Sequence, residues 1–250
     1  MLESKGQTIS TINKNGSLLD NSEGRTQTAI NRLYLKLRQG IIKGEFYPGE
    51  RLKIEKLKSI FDIGASPIRE ALSLLTSDNL VDRIDQRGFR VSPISEANFN
   101  EILMLRCNLD DIALRNSIEH GDEDWEEQLV LLHHRLSRAD INDFDHWESL
   151  HKNFHMCLFQ ACTSPILVSY CYQLYDQNIR YRFLAEKSSS YKSRQVKDEH
   201  FQILEATINR DADLASELLI AHYKKTGAFL AKKLDHHNPL NWQSTVLEKE

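Results

Sequence analysis

His151 and His155 stand four residues apart in a stretch whose apolar residues recur with helical period, so both imidazoles project from one side of one helix. Imidazole nitrogen is a good ligand for divalent metals such as Zn2+ and Ni2+, and an i, i+4 pair is half of a four-nitrogen site. His200 opens the segment His200-Phe201-Gln202-Ile203-Leu204-Glu205-Ala206, and His222 follows on the next helix. A helix pair that brought these two to the layer of His151 and His155 would complete the four. The spacing alone fits a polar helix edge equally well. His120, His133, His134, His146, His236 and His237 read as surface residues. Hydrolytic use of such a cluster wants a general base beside the metal. The HExxH pattern is absent, since Lys152 follows His151 and Met156 follows His155. A nucleophile elbow and a glycine-rich phosphate loop are absent too, so no enzyme activity is expected.

A second set of residues is cationic. Between residues 26 and 92 there are 12 Lys and Arg against 8 Asp and Glu, a net charge of +4, which leaves −8 on the rest of a chain whose total is −4. A positive module on an acidic body suits a DNA reader. The elements needed to present it follow in order. An amphipathic helix runs from Thr28 through Ile30, Leu33, Leu37 and Ile41 to a stop at Gly44. Tyr47-Pro48-Gly49 is a turn, a short helix carries Ile54, Leu57, Ile60 and Phe61, and Asp62 to Ala65 turns again. Ser66-Pro67 starts a third helix, with Ser66 as its cap, reaching about Asn79. Val81–Ile84 and Gly88–Val91 read as strands joined by a hairpin tip at residues 85–88.

Three helices and a hairpin over residues 26–94 make a winged helix-turn-helix. In that layout the third helix enters the major groove and the wing reaches the backbone or minor groove. Ser66, Pro67 and Arg69 then sit at the groove, with the Arg69 fork suited to guanine or phosphate. Arg87 and Gly88 form the wing tip, and Lys53 and Lys56 reach phosphate.

Residues 1–25 are rich in Ser, Asn, Gly and Thr without period and read as a disordered arm. They lack the apolar core of a signal peptide, and no run of 18 apolar residues exists, so a cytoplasmic protein at the nucleoid, with no membrane partner, is expected. Cys107, Cys157, Cys162 and Cys171 form no CxxC pair and read as small buried hydrophobes. From residue 95 to 234 all segments read helical, at roughly 95–119, 123–139, 144–163, 165–186, 195–209 and 211–234, with a polar break at 187–193. That predicts an all-α antiparallel bundle. Residues 235–250 read as a loosely held tail. The fold class is mainly α, a winged head followed by a helical bundle.

The run Tyr47-Pro48-Gly49-Glu50-Arg51-Leu52, then Ser66-Pro67-Ile68-Arg69-Glu70-Ala71-Leu72, Leu80-Val81 and Arg87-Gly88-Phe89-Arg90-Val91 resembles the N-terminal pattern of the GntR family of transcription regulators. Family members often carry Ser-Arg where this chain has Gly64-Ala65, so a DNA-contacting arginine is missing at Ala65. Leu105-Arg106, Phe154-His155, Asp198-Glu199-His200, residues 206–211 and Ala221-His222 resemble the FCD effector domain of the FadR subfamily. That resemblance implies His151, His155, His200 and His222 as ligands of a divalent metal. His151 stands where the family usually has Asp, and four neutral imidazoles favour Zn2+ or Ni2+ over Mn2+. It also implies Arg106 in the cavity, gripping a small organic acid such as a dicarboxylate, with Asn108, Arg180 and Arg182 as further candidates. The family further implies a homodimer, two heads on a palindromic operator, and repression relieved or altered by the acid.

Overall fold

The structure is a computed structural model describing the backbone of residues 21–85, 87–186 and 196–236, and the side chains of 29–85, 87–183 and 198–230. Most of the expected arm, the polar run at 187–193 and the tail beyond residue 236 lie outside the described residues.

The head begins with α1 (Asn21–Ile42), followed by β1 (Arg51–Leu52), α2 (Ile54–Phe61), α3 (Ala65–Ser77), β2 (Val81–Ile84) and β3 (Gly88–Val91). Its core is the expected apolar stripe. Leu33, Leu37 and Ile41 of α1 face Ile68, Ala71, Leu72 and Leu75 of α3, with Leu57, Leu80, Val81, Phe89 and Val91 closing the ends. Three details depart from the reading above. α1 starts at Asn21, seven residues before Thr28, because a helix nucleated by packing propagates into polar sequence at one hydrogen bond per residue. α3 starts at Ala65 with Gly64 as its cap residue, and Ser66 is inside the helix, its hydroxyl 3.2 Å from Glu70 Oε1. A third strand, β1, pairs Arg51 with Arg90 and Leu52 with Phe89, giving an antiparallel sheet ordered β1-β3-β2. Two residues are too short to show a period. The hairpin itself has the expected pairing, Val81 with Val91 through Ile84 with Gly88. Gly88 sits at φ +88°, a left-handed conformation that side-chain-bearing residues resist.

The body is α4 (Glu96–His120), α5 (Glu123–Arg138), α6 (Phe144–Cys157), α7 (Pro165–Glu186), α8 (Val196–Ile208) and α9 (Ala212–His236). α4 packs between α7 and α9, α8 lies on α9, and α5 bridges α6 and α8. Ser95 caps α4 through the Asn98 amide, and Asp122 caps α5 through that of Trp125. α6 ends six residues short of the expected 163, where buried Leu158 and Phe159 enter a chain of tight turns. The Trp125 indole N–H donates to the Cys157 carbonyl at 2.7 Å and satisfies one of the carbonyls that the helix end leaves open. Cys157 and Cys171 are buried as expected, Cys107 and Cys162 only partly, and all four thiols are free. His133 is not a plain surface residue: it is half-buried, with Phe154 and Phe201 against its ring.

Gly121 joins α4 to α5 under the Trp125 ring, where an added Cβ would come within 2.1 Å of ring carbon. Gly121→Ala is therefore expected to lower stability by about 1–3 kcal/mol, the usual range for overpacking, read as a lower denaturant midpoint at unchanged slope. An unchanged midpoint would mean that the turn yields without strain.

Candidate functional site

Two sites share this frame. On the head, Ile68, Ala71, Leu72 and Leu75 commit one face of α3 to the core, which turns Ser66, Arg69, Glu70 and Ser73 to solvent. Pro67 lies half-buried between the two faces. Arg69 is exposed one turn into the helix, where a groove-reading donor belongs. Arg87 and Gly88 are exposed at the hairpin tip. Lys53 is exposed just before α2, and Lys56, also exposed, faces Glu50 at 3.5 Å. Arg83, exposed on the wing strand beside Arg87, was not singled out from the sequence, although strand alternation puts it there.

In the body, His151 and His155 of α6, His200 of α8 and His222 of α9 converge, all buried, one nitrogen of each within 4.8 Å of the others. Nε2 of His155 is 3.1 Å from Nε2 of His151 and 3.3 Å from Nε2 of His200. A neutral imidazole carries one proton, so three facing nitrogens cannot all satisfy one another. Burial, then the Arg182 guanidinium and the neighbouring imidazoles, hold the pKa of His151 well below the ordinary range. Burial and the rings of His200 and His222 do the same to His155. The rings are thus neutral, the form in which they bind a divalent metal.

The outer nitrogens of His151 and His222 are tied down as those of metal-binding histidines commonly are, while Nδ1 of His155 is buried without a partner. Nδ1 of His222 faces Glu199 Oε2 at 2.7 Å, and Nδ1 of His151 faces the Tyr175 hydroxyl at 2.8 Å. Tyr175 in turn donates to Glu148 Oε1 at 2.5 Å. Both ties turn Nε2 inward. The donor set therefore fits a divalent metal held by four imidazoles.

Beside the histidines lies a narrow space of about 320 Å³ between α4, α7 and α9, with room for about one water as it stands. His151, His222, Arg106, Arg182, Asn178 and Thr226 give it polar walls, and Phe99, Leu103, Tyr223, Gly227 and Leu230 close the rest. Arg106 lies over the Tyr223 ring at 4.1 Å, donates to Asn178 Oδ1 at 3.1 Å, and faces Asp110 at 3.4 Å. Arg182 donates to Glu148 Oε1 and to the Tyr175 oxygen, both at 2.8 Å. Burial pushes the carboxyls of Asp110 and Glu148 above the ordinary range, against the pull of Arg106 and Arg182 respectively.

Two expected effector residues are elsewhere. Asn108 is exposed, its amide donating to the Met104 carbonyl of its own helix. Arg180 is buried but faces the head, donating to the Ser92 carbonyl at 2.5 Å. Each lies two residues from a true cavity arginine, and two residues on a helix are about 200° of rotation. The same arithmetic could have found what the sequence reading missed: Tyr175 and Asn178 stand seven and four residues before Arg182, and Glu148 three before His151.

The match to known proteins runs the length of both parts. Residues 29–91 match the profile of bacterial regulatory proteins of the gntR family, and residues 101–225 match the FCD domain. The chain is 35% identical over 207 residues to an uncharacterized HTH-type transcriptional regulator, BphR, of Paraburkholderia xenovorans (strain LB400), covering 80% of this chain and 84% of that one. It is 32% identical over 197 residues to the HTH-type transcriptional repressor GlaR of Escherichia coli (strain K12), covering 76% and 90%. Among solved structures, E. coli McbR/YncC superposes with a TM-score of 0.73 at 20% identity over 82% of this chain and 98% of that one, a likeness of fold. With its head and its bundle each matched by a family profile, and with relatives at 35% and 32% identity, this chain belongs to the GntR family of bacterial regulatory proteins and carries an FCD domain.

Proposed function

We propose that the chain is a cytoplasmic, homodimeric repressor whose grip on operator DNA is controlled by a small organic acid, captured in the body with the help of a divalent metal, Zn2+ by preference. The observation that carries this is the shared wall: Arg106 and Arg182 line the same buried space as His151 and His222. A carboxylate there would meet a cationic fork and, where the metal takes a fifth ligand beyond the four imidazoles, the metal as well. The space has room for about one water as it stands, so its walls must part for a ligand, which favours short acids such as C4–C6 dicarboxylates. Four neutral imidazoles suit Zn2+ or Ni2+ better than harder ions. The carboxylates near the histidines are engaged elsewhere, Glu148 with Arg182 and Tyr175, Glu199 with His222. That supports a binding site and not a hydrolytic one. Among the described residues no helix is long and apolar enough to cross a membrane.

The direct test is a thermal-shift screen of C3–C6 carboxylic acids with Zn2+ and with a chelator. A ligand at about 100 times its Kd is expected to add about 2.7 kcal/mol of stability. Acids should stabilise the metal-loaded chain and lose that effect after chelation. Equal shifts in both conditions would remove the metal from the site, and no shift with any acid would remove the effector.

The head makes a separate prediction. With an operator selected from random duplexes, Arg69→Ala should weaken binding by about 1–3 kcal/mol and relax preference at one base position. Arg87→Ala should weaken all sequences alike and reduce the salt slope by about one. The opposite pattern would exchange the two roles.

A further inference from the structure

α7 has two working faces. Tyr175, Asn178 and Arg182 touch the metal and effector site. On the other side three residues reach the head. Gln173 Nε2 donates to the Ser77 carbonyl at 2.8 Å, Gln177 Nε2 to the Asp78 carbonyl at 3.2 Å, and Arg180 Nη2 to the Ser92 carbonyl at 2.5 Å. At about 100° per residue the two sets lie roughly half a turn apart. Ser77 and Asp78 close α3, the helix that carries Arg69, and Ser92 follows β3 at the root of the wing. One helix therefore holds both DNA-reading parts of the head, each by a backbone carbonyl. The anchor points belong to one frame, because the Ser92 amide donates to the Leu80 carbonyl and the Leu80 amide to that of Leu75, both at 3.0 Å. Asp176, on the same side of α7, takes Arg38 of α1 and Lys152 of α6, the latter at 2.6 Å.

Arg180 is the costly member. It is 4% exposed, its Nε has no partner, and among the described residues no carboxylate stands within salt-bridge distance of it. A buried guanidinium held by one carbonyl is a poor way to gain stability, and an apolar side chain of similar volume would cost less. Its position is better explained by what it holds.

We infer that Gln173, Gln177 and Arg180 are the positioning residues through which the state of the metal and effector cavity sets the placement of α3 and the wing. The inference rests on the proposed reading of that cavity as the control site. The cavity is narrow, so an incoming carboxylate has to part α4, α7 and α9. Any shift of α7 is passed to three carbonyls of the head without an intervening element. A ligand changes the head only as far as it prefers one placement, and couplings of this kind are commonly about 5–150-fold.

Hydrogen-exchange mass spectrometry on the full chain, with Zn2+ alone as the probe, tests this without needing the operator or the acid. Zn2+ is expected to change exchange in residues 173–182 and also at the Leu80 and Ser92 amides, by about fivefold or more. In a Gln173→Ala, Gln177→Ala, Arg180→Met chain, the response of 173–182 should persist and that of Leu80 and Ser92 should vanish. If the head responds equally in that variant, or fails to respond in the parent while α7 does, the inference is overturned. Should the triple variant not fold, Gln173→Ala, Gln177→Ala takes its place and should weaken the response of Leu80 more than that of Ser92; undiminished responses at both overturn the inference. Should mass spectrometry show that Zn2+ does not bind, the metal reading fails by itself. The inference is then decided by Asn178→Ala, which frees Arg106 from α7. That change should alter head exchange in the parent, less in the double variant and not in the triple, and equal or absent effects would overturn it.

Discussion

His155→Ala is expected to abolish metal binding, taking the chain from one bound Zn2+ to none in native mass spectrometry and weakening affinity by more than 100-fold. His155 is the hub of the cluster: its Nε2 is the atom that faces both His151 and His200, and its ring stacks on His222 at 5.3 Å. Loss of the hub leaves three imidazoles and removes the one whose Nε2 faces two of the others. The bound for this effect comes from the outer shell, where removing a partner of a ligand costs about 10–100-fold. Glu199→Gln should fall in that lower range, because it keeps the ring of His222 in place while weakening the acceptor on its Nδ1. Circular dichroism separates loss of ligand from loss of fold. A folded His155→Ala chain that still carries one tightly held Zn2+ would show that the four histidines are not the site.

Arg106→Met should abolish the acid-induced thermal shift and also cost about 3–5 kcal/mol of stability, the range for breaking a buried ion pair. The reason lies in Asp110, which is fully buried and whose Oδ1 has no hydrogen-bond partner. With Arg106 gone, its charge loses the opposing cation, and burial, already pushing its pKa up, is resisted only by Tyr223 and Cys171. The carboxyl then stays protonated in the folded chain while the unfolded chain ionises above about pH 4. The unfolded state binds fewer protons in that window, so stability falls as pH rises, by about 1.4 kcal/mol per unit. Arg106→Met, Asp110→Asn should restore stability and flatten the pH dependence without restoring the response to acid. A single variant whose stability does not change with pH would show that Asp110 stays ionised in the folded chain without Arg106.

The two displaced effector residues show where sequence reading stops. Asn108 and Arg180, candidates through the family resemblance, stand two residues from Arg106 and Arg182, and helical rotation sends them to opposite sides. The histidines escaped that error because His151 and His155 are four apart, a spacing that repeats a face. Ser66 shows a related limit. A serine before a proline reads as a cap, but Gly64 ends the preceding turn one residue earlier and the helix takes Ala65 as its first residue.

What the amino-acid sequence by itself determined is whatever depends on local period and on the chemistry of single side chains. The core stripes of α1 and α3, the hairpin, the run of body helices, the basic head and the shared face of His151 and His155 all follow from residue order, since a helix repeats every 3.6 residues and a strand every two. What only the tertiary structure decided is which faces meet. Glu199 behind His222, Tyr175 behind His151 and the attachment of α7 to the head are all pairings between helices. They depend on how helices rotate and stack against one another. That rotation is fixed by packing of the whole core at once, and no window of sequence contains it.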